Sequence, residues 1–140
     1  FYTGFRIVRT SVAGIMDERD NGLLRKMTRV FDRDRSKNWV DIHNMRIIKY
    51  GSTLHIDAHL TVPWYLNVHE AHDEVDKLAD LVRKEFGDAI ELFVHSDGCL
   101  PTSCPICIKD DCPVRHHGFQ RRIKWTVQNM ERDEKHQAET

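Results

Sequence analysis

Residues 90–99 constrain the fold more than any other part of this chain, because apolar and polar side chains alternate along them up to a His-x-Asp pair. An alternation with a period of two predicts a β-strand with one buried face. The opposite face carries His95 and Asp97. An imidazole and a carboxylate two residues apart on one face can both reach a single metal ion. The stretch therefore predicts a strand over residues 90–97 with a candidate metal site on its polar face.

Two further strands are predicted before this one, over residues 39–50 and 53–62, with a Gly-Ser turn between them. On the first strand, His43 is expected in phase with Asp41 and Met45. The second strand alternates cleanly, so its apolar side chains are expected to face the core. Its opposite face carries His55, Asp57, His59 and Thr61.

Apolar residues at helical spacing predict four helices around these strands. The predicted ranges are 1–17, 23–31, 68–86 and 119–130. The third helix begins after Asn67, an N-cap that Glu70 supports from the third helical position. Its buried stripe is predicted to be Val68, Ala71, Val75, Leu78 and Val82.

The order of the elements predicts the fold class. A helix, two strands, a helix and a third strand form an α+β layer, in which a three-stranded sheet carries helices on one face. The charged residues 32–37 are predicted to be a solvated loop. A Cys-rich segment and a C-terminal helix follow the third strand, and the last ten residues are predicted to be frayed.

Composition and charge exclude several classes of protein. The 140 residues predict one domain with an appendage, and the net charge of −1 leaves no basic face for nucleic acid. The sequence has neither an apolar run that could span a membrane nor a leader peptide. Because it begins with Phe1, we expect a fragment whose missing upstream part could contain membrane helices. It lacks the motifs of metallopeptidases, serine hydrolases and phosphate-binding loops, so we do not expect an enzyme.

Four side chains from the three predicted strands are the candidate metal ligands. They are His43, His59, His95 and Asp97. Neighbouring strands lie about 4.8 Å apart, which allows these side chains to converge. Zinc takes tetrahedral ligands at about 2.0–2.2 Å, and three imidazoles with one carboxylate would saturate it. We therefore predict a structural or regulatory site rather than a catalytic one.

Other polar residues near these ligands leave two interpretations open. His55 and Asp57 share the face of the ligands, and either orient the ligand imidazoles or are simply exposed. His69 and His72 on the third helix either hold a second ion together with a carboxylate of a partner chain or form a solvated helix face.

All four cysteines lie in one segment with the spacing C-x4-C-x2-C-x4-C. They are Cys99, Cys104, Cys107 and Cys112, and His116 follows them. Thiolates bind zinc and softer ions strongly, and the central Cys-Pro-Ile-Cys has the spacing of a zinc knuckle. Disulfides, free thiols and an iron–sulfur cluster are the alternatives. We predict a second, thiolate-based zinc site here.

Four motifs together resemble the C-terminal cytoplasmic domain of the cation diffusion facilitators, which are proton-coupled exporters of zinc and related divalent ions. The motifs are Val-Asp-Ile-His-Asn-Met-Arg at 40–46, His-Ile-Asp-Ala-His-Leu at 55–60, Val-His-Glu-Ala-His at 68–72 and Phe-Val-His-Ser-Asp at 93–97. The resemblance covers residues 21–98. Residues 1–20 are similar to the segment that leaves the last membrane helix of that family, and residues 99–140 extend beyond the point where many members end.

The resemblance implies a ferredoxin-like fold, as in copper chaperones, and a cytoplasmic homodimer with metal near the subunit interface. It also implies that zinc draws together the two domains of a V-shaped dimer. The residues that match the family's ligand positions are His43, His59, His95 and Asp97, with His72 at a further one. Asn44 stands where many members have an aspartate, so one carboxylate contact is expected to be missing.

We therefore predict a divalent-metal-binding, dimerising regulatory domain of a cation exporter, located in the cytoplasm and attached to the membrane only through a transmembrane part outside this chain. Zinc is the expected ion, and His and Asp ligands also accept other divalent transition metals. The alternative is a free-standing protein of the same fold that buffers or delivers zinc through its cysteine segment. A metal-dependent hydrolase is the least favoured hypothesis, because it needs an open coordination position.

Overall fold

The computed structural model of the protein describes residues 2–15 and 21–139. Its elements are α1 (Tyr2–Ile15), α2 (Asn21–Arg33), β1 (Asp41–Tyr50), β2 (Thr53–Val62), α3 (Val68–Phe86), β3 (Ile90–Gly98), a 3₁₀ helix (Pro101–Ile106) and α4 (Val127–Met130). The predicted bounds of the three strands, α2 and α3 agree with these ranges to within two residues. The predicted first helix, 1–17, extends past the described residues.

The three strands form one mixed sheet in the order β1-β2-β3. β1 and β2 are antiparallel, and their tight turn requires Gly51 at a φ of +57°, a conformation that glycine adopts without a steric penalty. β2 and β3 are parallel, because α3 carries the chain back along the sheet between them. The predicted α+β class with a three-stranded sheet is confirmed.

A β-bulge in β1 changes which of its residues share a face. After the pair His43–His59, two residues of β1 lie opposite one residue of β2. Asn44 takes the left-handed conformation there, with a φ of +50°, which asparagine tolerates better than most residues. The bulge turns Met45 into the core, where it is fully buried. The prediction that Met45 shares a face with His43 is therefore wrong.

α2 and α3 pack on the apolar face of the sheet. The buried side chains of these helices and of β1 and β2 include Leu24, Met27, Phe31, Ile42, Ile47, Ile56, Leu60, Leu78 and Val82. α3 begins with the predicted capping box of Asn67 and Glu70, and ends before Gly87 at a φ of +88°. Val68 was expected in the buried stripe but is 85% exposed, because it lies in the first turn, before the helix meets the sheet.

The segment beyond β3 packs onto this same core. Its buried apolar residues are Ile106, Ile123, Trp125 and Met130. The prediction of a helix over 119–130 is wrong, since only Val127–Met130 is helical. Ile123 and Trp125 are buried while Lys124 between them is exposed, which is the burial pattern of an extended chain. The side chain of Thr126 then caps the short helix.

The charged loop before β1 contains a partly buried guanidinium that anchors this C-terminal segment. Arg35 donates hydrogen bonds to the carbonyl oxygens of Trp39 at 3.1 Å, Val40 at 2.6 Å and Ile123 at 3.1 Å. It also lies 3.8 Å from the ring centroid of Trp125. Burial lowers the pKa of Arg35 to about 10. The prediction of a fully solvated loop is therefore wrong at Arg35.

α1 presents apolar side chains to its surroundings. Those described are Tyr2, Phe5, Ile7 and Val8, each at least 60% exposed. None of the helices in residues 2–15 and 21–139 combines the length and the apolar character that a membrane span needs.

Candidate metal centre

The register of the sheet brings one histidine from each strand into a row. His43 lies opposite His59, and His59 lies opposite His95. The ring centroids are 5.1 Å apart between β1 and β2, and 4.8 Å apart between β2 and β3. The row lies on the face away from the core, where the alternation in the sequence places it.

Asp97 lies among these three imidazoles. Its Oδ2 is 3.3 Å from His59 Nδ1 and 3.8 Å from His43 Nε2, and its Oδ1 is 3.3 Å from His95 Nε2. Zinc ligands at 2.0–2.2 Å from a tetrahedral ion stand roughly 3.3–3.6 Å from one another. The donor atoms are nitrogen and carboxylate oxygen, and the distances from Asp97 to the three rings, 3.3–3.8 Å, lie in or just above this range.

The centre has a buried end and an open end. The ligand atoms of His43, His59 and Asp97 lie within 4.8 Å of one another, and no other three His, Cys, Asp or Glu residues in the described part of the chain do so. The side chain of His43 is 5% exposed, whereas that of His95 is 66% exposed. His95 thus stands at the open end, in contact with the second oxygen of Asp97.

A buried carboxylate lies behind His43. Asp41 Oδ2 is 3.5 Å from His43 Nδ1, the ring nitrogen opposite the one near Asp97. Asp41 also accepts the backbone N–H of His136 at 2.9 Å and contacts the Nδ1 of that ring. Burial would raise the pKa of Asp41, but the contacts with His136 and His43 outweigh it and hold this pKa well below its usual range. Asp41 is therefore an anion beside the candidate ligand.

Sequence reasoning missed both Asp41 and His136 as parts of this region. Asp41 carried a usable signal, because it lies two residues before His43 and shares its face. No pattern pointed to His136, which lies in a polar stretch. The prediction that the last ten residues are frayed is wrong there, since His136 is buried and hydrogen-bonded to Asp41.

Two more side chains border the ligands. Asn44 Nδ2 is 3.4 Å from His59 Nε2, so the residue at the position where an aspartate was expected still contacts a ligand ring. Lys135 donates a hydrogen bond from Nζ to the carbonyl oxygen of Gly98 at 3.2 Å and stands 4.0 Å from Asp97 Oδ2. The carboxylate of Asp97 therefore has a cationic neighbour as well as the imidazoles.

His72, the predicted ligand on α3, is not part of the group. Its side chain is 70% exposed, and its Nε2 is 3.7 Å from Asp76 Oδ1. It does line the same open groove as His59 and His95. His72 therefore faces the open end of the centre without joining it.

The remaining polar residues of the predicted face lie outside the centre. His55 Nδ1 pairs with Glu91 Oε2 at 3.1 Å, and its ring packs edge-on against Tyr50 at 5.0 Å. Asp57 and His69 are exposed. Asp57 is thus an exposed polar residue, whereas His55 is half-buried and held by Glu91 and Tyr50.

No disulfide joins any of the four cysteines in the part of the chain that the structure describes. Burial raises the pKa of Cys99, while the backbone of Trp64 lowers it and the other three cysteines raise it further. The cysteines are therefore electrostatic neighbours. Within the described residues, however, no three of their sulfur atoms lie within 4.8 Å of one another. His116, predicted to join them, is exposed.

Arg115 holds the turn that carries the central cysteine pair. Its guanidinium donates to the carbonyl oxygens of Cys104 at 2.9 Å, Cys107 at 3.0 Å and Lys109 at 2.6 Å. The backbone N–H of Cys107 donates to the carbonyl of Cys104 at 3.2 Å. The backbone of the Cys-x-x-Cys turn is therefore fixed, although no three of the cysteine sulfur atoms in the described residues lie close enough to share an ion.

Comparison with known proteins identifies one family. The family model of the cation efflux protein cytoplasmic domain matches residues 26–99, more than half of the chain. No curated protein matches the chain. One similar solved structure, of the candidate zinc transporter CzrB, has a TM-score of 0.49 and 18% identity, and the match covers 58% of this chain and 100% of that one. The zinc form of CzrB gives a TM-score of 0.46 and 22% identity over 59% of this chain and 93% of that one.

Proposed function

The chain belongs to the cation efflux family, whose cytoplasmic domain it contains at residues 26–99, and from this premise we propose that it is the metal-binding, dimerising regulatory domain of an exporter of zinc or a related divalent ion. The family is one of transport proteins, and its description places the matched residues in the cytoplasm. The observation that carries the proposal is the position of Asp97 among three imidazoles, at distances that suit a tetrahedral ion.

The ion is held by His43 through Nε2, by His59 through Nδ1 and by Asp97 through Oδ2, since these atoms face one another. His95 lies outside this group of three and is proposed to supply the fourth position from the open end, where its Nε2 is 3.3 Å from Asp97 Oδ1. When His59 binds through Nδ1, its Nε2 must carry a proton, and this N–H can donate a hydrogen bond to the amide oxygen of Asn44 after a half-turn of the amide. This amide oxygen is buried and has no hydrogen-bond partner among the residues that the structure describes.

Regulation follows if the ion binds one arrangement of two subunits better than another, because a ligand shifts a population only by its differential affinity. The polar face of the sheet carries the anionic side chains of Asp57, Glu91 and Asp97, whose charge would repel the same face of a second copy. Phe93 lies on the same face and is 60% exposed, which provides an apolar contact for a partner subunit. A bound dication neutralises the face and lets two copies approach.

The test is native mass spectrometry of the reduced full chain while zinc is titrated in. We expect a complex of two chains that carries zinc, with the fraction of dimer rising as zinc is added. A monomer that carries no zinc at any concentration would contradict the proposal. A zinc-loaded monomer would instead favour the alternative, a free-standing protein that buffers or delivers zinc.

The cysteine segment is proposed to hold an ion of its own, separate from the histidine centre. Arg115 fixes the Cys-x-x-Cys turn, so chelation requires the sulfur atoms to move and leaves this backbone in place. In the same titration, we expect Cys104→Ser to lose the zinc ion of the cysteine segment and to keep the zinc ion of the histidine centre. Thr102→Ala, an exposed change in the same 3₁₀ helix, serves as the control. Equal zinc content in Cys104→Ser and the parent chain would leave the cysteines as ordinary thiols.

A further inference from the structure

The C-terminal residues 131–136 follow the family match and lie against the buried end of the metal centre. The carbonyl oxygen of Arg132 accepts the backbone N–H of Asn44, in the bulge of β1, at 2.8 Å. His136 donates its backbone N–H to Asp41 Oδ2 at 2.9 Å. This C-terminal segment is therefore attached to β1 on both sides of the residue that supplies the most buried ligand.

Among the described residues, the ring of His136 has a single polar contact, which is with Asp41. Its Nδ1 contacts Asp41 Oδ1, and its Nε2 is buried without a hydrogen-bond partner among the described residues. Asp41 is only 1% exposed, and a buried charge needs partners to be stable. His136 supplies both its backbone and its ring to that carboxylate.

Asp41 in turn determines which nitrogen of His43 is available to an ion. A histidine ligand binds metal through one ring nitrogen, while the other donates its N–H to a carboxylate that fixes the tautomer and the orientation of the ring. In His43, Nε2 faces Asp97 at 3.8 Å and Nδ1 faces Asp41 at 3.5 Å. At 3.5 Å this second contact is longer than a normal hydrogen bond, and Nδ1 has no other hydrogen-bond partner among the described residues.

The neighbouring residue, Lys135, lies beside Asp97 on the other side of the centre. It opposes metal binding, whereas His136 favours it. Its ammonium stands 4.0 Å from Asp97 Oδ2, the oxygen that also faces His43 and His59. The carbonyl of Gly98 fixes it there at 3.2 Å. A cation held at this distance from a ligand oxygen repels an incoming dication and competes with it for the negative charge of Asp97.

We propose that this C-terminal segment is an outer part of the metal centre, in which His136 is a positioning residue that acts on His43 through Asp41, while Lys135 is a tethered cation that competes with the ion for Asp97. This inference rests on the proposed function, because it needs an ion at His43, His59 and Asp97. The inference goes beyond the proposed function because it makes metal affinity depend on residues outside the matched domain. His136 raises the affinity, and the adjacent Lys135 lowers it.

The first test measures the zinc dissociation constant of the full chain by competition with a chromophoric chelator. We expect His136→Ala to weaken binding by about 10- to 100-fold, the range for changes that act behind a metal ligand. His136→Asn keeps a nitrogen donor near the position of Nδ1 and is expected to recover part of that loss. The loss must appear in a variant whose unfolding transition still lies above the assay temperature, which a thermal scan verifies.

The second variant separates the proposal from a purely structural role of this segment. Lys135→Met keeps most of the unbranched side chain and removes its charge, and we expect about two- to five-fold tighter zinc binding from the loss of one ion pair. Lys124→Met, an exposed lysine upstream of the segment, is the control and should leave the constant unchanged. Weaker binding in both His136→Ala and Lys135→Met would mean that the segment only supports the fold, and would overturn the proposal.

A second readout does not depend on zinc at all. In the apo chain, a ¹⁵N–¹H correlation spectrum should show His43 protonated at Nδ1, and this tautomer should lose its preference in His136→Ala. An unchanged tautomer together with an unchanged zinc constant in His136→Ala contradicts this inference alone. If His43→Ala binds zinc as well as the parent chain, the proposed function itself fails, so the two failures are distinct.

Discussion

Replacing Asp97 by alanine is expected to abolish zinc binding at the sheet, with a dissociation constant that rises by about 100-fold or more. Changes behind a ligand already cost about 10- to 100-fold, and Asp97 is a ligand itself. It also links the three candidate ligand rings, because its two oxygens contact His43, His59 and His95. Isothermal titration with zinc on the reduced full chain, with the cysteines changed to serine, measures this constant without interference from the thiols.

The matched control is Asp57→Ala. Asp57 is an exposed carboxylate on the same sheet, and it lies outside the group of three ligands. We expect a change of less than about three-fold, since removal of an exposed charge alters only a screened interaction. If the two aspartate variants bind zinc equally well, zinc is held elsewhere, and the proposed centre is incorrect.

Replacing Trp125 by alanine is expected to lower the free energy of unfolding by about 3–5 kcal/mol, the usual cost of truncating a buried tryptophan. Trp125 is 2% exposed, belongs to the common core and lies under the Arg35 guanidinium at 3.8 Å. The truncation leaves a cavity and also removes the ring that faces this partly buried cation. Urea denaturation at pH 7, monitored by far-UV circular dichroism, measures the loss.

Phe119→Ala is the control for this change. Phe119 is an aromatic residue of the same segment that is 52% exposed, and we expect its truncation to change stability by at most about 0.5 kcal/mol. A loss of less than about 1 kcal/mol in Trp125→Ala would show that the C-terminal segment does not share the core of the domain. In that case the contacts of Lys135 and His136 with the metal centre would also lack a stable anchor.

The strands and α3 could be predicted closely from the sequence, because local patterns determine them. Alternation over residues 53–62 specifies a strand with one polar face, and an Asn-x-x-Glu capping box specifies where α3 begins. The same alternation selected His59, His95 and Asp97, since a period of two assigns each residue to a face without any knowledge of its partners. Family resemblance, a different source, added the expectation of a homodimer.

The sequence failed where a distant contact overrides a local pattern. The bulge at Asn44 reverses the faces of β1 beyond His43, and no alternation rule detects a single inserted residue. Residues 119–126 contain apolar residues at helical spacing, yet they are not helical. There, Arg35 binds the carbonyl of Ile123, and the common core buries Ile123 together with Trp125. Helix propensity is a weak preference that such tertiary contacts outweigh.

The sequence by itself determined the sheet, its polar face and the types of side chain that could hold a divalent ion, because these depend on residue identity and a short period. Only the tertiary structure decided that His43, His59 and Asp97 come within 4.8 Å of one another, since strand register determines that distance. The tertiary structure also decided the contact between Asp41 and His136. These two residues are 95 positions apart in the sequence, so only the folding of the whole chain brings His136 next to the buried carboxylate of Asp41.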